Sequence, residues 1–289
     1  MTHPTYRQID LSAWHQVGEG GNGKTYENPA EPDIILKVNN PRLSTFKAVR
    51  HEYDVSKAVE GLGLPTPKMH EMVMVDGAYA TISERIKDKR SLSRICHDEP
   101  ERTEEMARLL AEKGKEMFAT PSDNGFFPSR KEQLLQALDK ATFISRKNRA
   151  LIRAFAETIG ENPNCVHGDF QPGNIIESEG RYYWIDLDRV AHGDPMFDIG
   201  HLYLICWVYA PMKRVQNIFH LTLDQFHRFW NAFAEAYTGD SGHAEFDALS
   251  GKFACLDLIV RTVFAEPTFL EKLFFGMHAR KLVRQFYQK

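Results

Sequence analysis

The residues of this 289-residue chain best suited to chemistry gather in one stretch, "CVHGDFQPGNIIESEGRYYWIDLDRV". It holds His167-Gly-Asp169, then Asn174 five residues after the aspartate, then an apolar-flanked Asp186 about a dozen residues further on. A hydroxyl that attacks a γ-phosphate needs a carboxylate to take its proton, and Asp169 suits that task. Phosphates call for Mg2+, a hard ion that prefers carboxylate and amide oxygens, and Asp186 and Asn174 make such a pair. Any one of these residues alone reads as an ordinary loop polar. Together they form the H-x-D-x-x-x-x-N pattern with a downstream aspartate that phosphoryl transfer calls for. Polar groups this dense between the apolar runs "NIIES" and "YYWIDL" are costly unless something binds there.

A second phosphate signal lies near the start, in "GEGGNGKT". It reads as G-x-x-x-x-G-K-[ST] and also as G-x-G-x-x-G, with Gly18, Gly20 and Gly23. A P-loop and a dinucleotide-binding turn both need these glycines to open a helix. After Thr25 the chain runs "YENPAEPDIILKV", where Pro29 and Pro32 stop a regular helix from starting and a β-rich run comes next. A glycine turn between two strands, lying over phosphates with no side chains in the way, needs no helix. On that reading the Lys24-Thr25 pair is incidental.

The segments "VHGDFQPGNII", "WIDLDRV" and "HGDPMFDIGHL" resemble the aminoglycoside phosphotransferase/choline kinase family of small-molecule kinases, which share the protein-kinase-like fold. The His-Gly-Asp form, and the absence of a long activation segment with Ala-Pro-Glu, point to this small-molecule branch. The resemblance implies Asp169 as catalytic base, Asn174 and Asp186 as metal ligands, and Asp198 as a brace for the catalytic loop. It implies ATP and Mg2+ as cofactors. Lys37 in "ILKVNN" would then hold the α/β-phosphates, with Glu52 of "RHEYDV" as its ion-pair partner. A hinge maps onto "TISERI", placing Ile82 behind the adenine and the backbone of Ser83 and Arg85 in hydrogen bonds to it. Acceptor candidates are Asp188, His192, Asp194, Tyr203, Trp207 and Glu266. Acidic groups suit a polycation and aromatic ones suit a choline-like cation. The acceptor therefore stays open among an aminoglycoside, an amino alcohol, a sugar and other hydroxyl-bearing metabolites. Two other readings stand beside this one: a kinase-shaped nucleotide-binding regulator without turnover, and a protein serine kinase.

The elements that must position these residues fall into two runs. Residues 1–85 read as short strands with one helix, over "LSTFKAVRHEYDVSKAVEGLG", and a hairpin turning at Asp76-Gly77. Residues 86–289 read as mainly helical, interrupted only around the catalytic segment. The apolar "MFDIGHLYLICWVYAPM" reads as a buried helix, too broken to span a bilayer. The fold class is α+β, a small antiparallel β-rich nucleotide-binding lobe followed by a larger helical lobe with the catalytic loop and acceptor site. A net charge of -3 argues against a nucleic-acid surface. Four scattered cysteines without metal-ligand spacing, and a start without a signal-like segment, point to a reduced cytoplasmic protein with no membrane partner.

Overall fold

The computed structural model describes residues 6–20, 23–40, 45–264 and 268–288. The chain divides into two compact units, Met1–Lys89 with Ile176–Asp188, and Arg90–Ile175 with Arg189–Lys289.

The first unit is built on a six-stranded sheet. Its elements are β1 (Arg7–Ile9), β2 (His15–Gly20), β3 (Gly23–Asn28), β4 (Glu31–Asn39), α1 (Phe46–Gly61), β5 (Met69–Val75) and β6 (Ala78–Glu84). The strand order is β1-β5-β6-β4-β3-β2. Pairing is antiparallel except for β1, a three-residue strand not expected from the sequence, which runs parallel to β5. Leu36, Val73, Ala80 and Ile82 form the sheet's buried core. The β5–β6 hairpin turns at Asp76 (φ 49°) and Gly77 (φ 80°), both left-handed, which is the turn whose twist matches that of the strands. Helix α1 starts at Thr45, whose side chain accepts from the Ala48 amide, and it buries Val49, Val55 and Val59. A second hairpin, Ile175–Ser178 with Arg181–Trp184, turns at Glu179 and Gly180, again both left-handed.

The second unit is helical: α2 (Leu92–Asp98), α3 (Thr103–Phe118), α4 (Arg130–Lys140), α5 (Arg146–Thr158), α6 (Met196–Tyr203), α7 (Lys213–Phe219), α8 (Leu223–Thr238), α9 (Ala244–Phe264) and α10 (Phe269–Phe286). The apolar segment read as a single helix is α6 continued by a π-helical turn, Leu204–Tyr209. Helix α8 begins with a reciprocal cap between Thr222 and Gln225 and ends at Gly239 (φ 76°). Helices α6 and α9 pack closely because Gly200 has no side chain. A Cβ there would lie 2.6 Å from the Phe253 backbone. Two short strands, Cys165–Val166 and Ala191–His192, pair antiparallel beside the loop that carries Asp169. Among the described residues no helix is long and apolar enough to cross a membrane.

Candidate active site

The first unit holds the glycine loop, Lys37, Glu52 and Asp186. Strands β2 and β3 form the glycine hairpin, with Gly18 opposite Thr25 and Gly20 opposite Gly23; Gly21 and Asn22 lie outside the described residues. A Cβ on Gly18 would come within 2.5 Å of Thr25 Oγ1, and one on Gly23 within 2.3 Å of the Val38 carbonyl. The β4 backbone therefore requires glycine at position 23, whereas at Gly18 the close atom is a side-chain hydroxyl. Among the described residues the loop leads into strand β3 and not into a helix, which removes the P-loop and dinucleotide readings. Lys24 sits on that strand, 4.0 Å from Glu19 and about half exposed.

Lys37, on β4, donates to Glu52 Oε1 of α1 at 2.8 Å. Asn39 Nδ2 donates to the other oxygen of Glu52 at 3.2 Å. Burial lowers the Lys37 pKa, but the Glu52 carboxylate, with smaller contributions from Asp186 and Asp188, outweighs it and raises the value. A cavity of ≈ 270 Å³ opens here, lined by Lys37, Glu52, Thr66, Ser83, Asp186 and Asp188 among others. Asp186 has φ 57°, a conformation that non-glycine residues adopt rarely and that clusters at functional sites. Of the hinge residues, Ser83 lines the cavity and Ile82 is buried in the sheet core. The Arg85 amide N–H is committed to the Asp33 carbonyl at 2.8 Å, and its side chain pairs with Glu27.

The second unit holds the loop that comes after the strand Cys165–Val166. Gly168 (φ 77°) turns the chain, and a Cβ there would meet the Arg189 carbonyl at 2.2 Å. The amides of His167 and Gly168 both donate to the Asp198 carboxylate at the start of α6, the second at 2.8 Å. Asp198 thus holds the loop backbone on α6. Asn174 Nδ2 donates at 2.8 Å to both the Asp169 carbonyl and Asp169 Oδ2. Its amide nitrogen is thereby committed, and Oδ1 is the end left to offer a hard cation.

The other oxygen of Asp169 meets a cluster of charges contributed by α6 and α9. Arg261 Nη1 lies 3.0 Å from Asp169 Oδ1 and His201 Nε2 lies 3.2 Å from it. Arg261 Nε also donates to Asp257 Oδ2 at 2.7 Å, and Arg261 Nη2 to the Gly168 carbonyl. His201 Nδ1 is 2.9 Å from the same Asp257 oxygen. Arg130, at the start of α4, reaches the Gly168 carbonyl at 3.2 Å and stands 3.7 Å from Asp257. Burial pushes the Asp169 pKa up, but His201 and Arg261 outweigh it and hold the carboxyl well below the usual carboxylate range. Asp257 is likewise depressed: burial raises it, and Arg261 and His201 lower it further. On His201, burial and Arg261 both lower the pKa; Asp257 and Asp169 raise it, and they prevail.

The acceptor candidates separate by surroundings. Asp188 lines the cavity of the first unit, with His51 Nε2 3.3 Å from its carbonyl. Asp194 Oδ1 accepts from the Met196 amide and so starts α6. His192 Nδ1 stands 3.3 Å from the Asn162 carbonyl. Tyr203 is buried edge-on against Trp230, with ring centroids 4.9 Å apart. Trp207 stacks on His227 at 4.1 Å, and Glu266 lies outside the described residues.

Sequence reasoning missed Arg261, His201, Asp257 and Arg130. The signal was present for two of them. In "FACLDLIVRTVF", Asp257 and Arg261 are charges at i and i+4 inside an otherwise apolar helix, a spacing that lets them pair.

The model of the phosphotransferase enzyme family matches residues 15–228. No curated protein sequence matches the chain. Among solved structures, aminoglycoside phosphotransferase APH(4)-Ia aligns at TM-score 0.63 with 14% identity, covering 95% of this chain and 94% of that one. A choline/ethanolamine kinase family protein from Mesorhizobium loti aligns at TM-score 0.58 with 12% identity, over 93% and 87% of the two chains. ADP-bound aminoglycoside phosphotransferase APH(2'')-Ib aligns at TM-score 0.54 with 17% identity, over 95% and 93%. At such identities these likenesses show the fold, an α+β protein-kinase-like arrangement of a β-sheet lobe and a helical lobe. With three quarters of its length matched by the family model, the chain belongs to the phosphotransferase enzyme family.

Proposed function

We propose that the protein transfers the γ-phosphate of ATP to a hydroxyl of a small molecule in a Mg2+-dependent reaction, with Asp169 as the base. The observation that carries this reading is the state of Asp169. It stands on a loop whose His167 and Gly168 amides are held by Asp198, with its Oδ2 hydrogen-bonded by Asn174. A carboxylate fixed in this way presents an oxygen to the proton of an attacking alcohol.

The rest of the chain has matching parts. The glycine hairpin brings backbone without side chains close to phosphates. Lys37, kept charged by Glu52, holds the α/β-phosphates. Ser83 and Arg85 meet the adenine through backbone groups, and with its N–H committed Arg85 has its carbonyl to offer. Asn174 Oδ1 and the Asp186 carboxylate are oxygen donors of the kind a hard divalent ion takes, so the residues fit Mg2+. When bound, Mg2+ neutralises the charge that develops on the phosphates. One structural neighbour was crystallised as a ternary complex with ADP and hygromycin B, which supports a small-molecule acceptor here. The four cysteines are free and buried, which suits a cytoplasmic enzyme.

Substituting Asp169→Asn, and separately Asp186→Ala, tests the assignment. Each is expected to lower phosphoryl transfer by on the order of 10²–10⁴-fold, with an unchanged circular-dichroism spectrum. Full activity in either folded variant contradicts it.

A further inference from the structure

The charge cluster around Asp169 assigns roles to residues outside the catalytic loop. We propose that Arg261 and His201 are positioning residues for the Asp169 base, fixing its carboxylate so that Oδ2 takes the proton of the attacking hydroxyl. This rests on the reading of Asp169 as base.

The two oxygens of Asp169 are unlike. Oδ1 has Arg261 Nη1 at 3.0 Å and His201 Nε2 at 3.2 Å. Oδ2 has, among the described residues, the neutral amide of Asn174 at 2.8 Å. An ionised carboxylate offers about four acceptor sites, two per oxygen. Arg261 and the His201 ring against Oδ1 occupy that oxygen, and Oδ2 keeps one site open beside Asn174. In the transfer itself, the acceptor O–H bond breaks and its proton goes to Oδ2, while the alcohol oxygen bonds to the γ-phosphorus. The bond from that phosphorus to the bridging oxygen breaks, and ADP leaves with the electron pair.

Arg261 is fitted to this task by its planar fork. Its Nε, Nη1 and Nη2 reach Asp257, Asp169 and the Gly168 carbonyl respectively. Asp257 lies one helical turn before Arg261 on α9 and is 1% exposed. It holds both Arg261 Nε and His201 Nδ1 on one oxygen, so the two side chains are fixed relative to each other. A lysine retains the charge but cannot satisfy three such directions at once.

The test measures Arg261→Lys and His201→Gln in parallel with Asp169→Asn, using whichever small-molecule alcohol the wild-type protein phosphorylates fastest. Both positioning variants are expected to bind the ATP analogue AMP-PNP as wild type does. Their KM for ATP should stay within about threefold while kcat falls by at least about 30-fold, a loss of one oxyanion-scale contact. A merely structural role would lower the melting temperature and leave kcat of the folded fraction unchanged. If both folded variants keep wild-type kcat while Asp169→Asn is inactive, the positioning inference is overturned and the base assignment survives. If Asp169→Asn is itself fully active, the base assignment falls and this inference with it.

Discussion

At the scale of single residues, function turns on which charges are paired and what the pairing holds in place. Lys37 and Glu52 form a half-buried ion pair at 2.8 Å. In the proposed role, neutralising the lysine removes its contact to the phosphates. Lys37→Met is expected to lower kcat/KM by on the order of 10²-fold, a loss typical of one charged donor at a phosphate, as measured by steady-state ATP turnover. Retention of wild-type kcat/KM would show that Lys37 serves the sheet alone. Lys24 makes the opposite case. It completes a P-loop pattern in the sequence, yet it stands on a strand with Glu19 as its neighbour. Lys24→Ala should therefore change kcat/KM by less than about threefold, since an exposed strand charge contributes little.

At the scale of elements, α6 and α9 place the charged groups that meet Asp169. Their close approach depends on Gly200, and Gly200→Ala is expected to destabilise the fold by about 1–3 kcal/mol, the usual cost of overpacking, read as a lower denaturant midpoint. His201, from α6, bridges Asp169 and Asp257, and its folded-state pKa lies above the ordinary value of about 6.5. A raised pKa means that the imidazolium form stabilises the fold fully below about pH 6.5. That contribution is lost as pH rises through the folded-state value. Wild type should thus lose more stability between about pH 6 and 9 than His201→Gln does, measured by thermal unfolding across that range. Equal pH slopes in the two proteins would contradict it. The elements also explain what the sequence made legible. His167, Asp169 and Asn174 are close in the chain, and the Asp76-Gly77 turn is a local signal, so short windows disclose them. Arg261 meets the Gly168 carbonyl across 93 residues. Only helix packing unites it with the loop, so no short window contains the pair. The parallel strand β1 escaped for a related reason: three residues are too few for a periodic pattern.

At the scale of the whole molecule, the family match makes the chain a phosphotransferase, while the acceptor depends on individual side chains. Asp194 and Tyr203 have structural partners of their own, so neither singles out a polycation or a choline-like ligand. The most direct measurement incubates the protein with Mg2+ and γ-labelled ATP across aminoglycosides, amino alcohols, sugars and a generic serine peptide. Label is expected on at least one small-molecule hydroxyl, abolished in Asp169→Asn and absent from the peptide. ATP bound with no small molecule labelled, or label on the peptide alone, would contradict a small-molecule kinase.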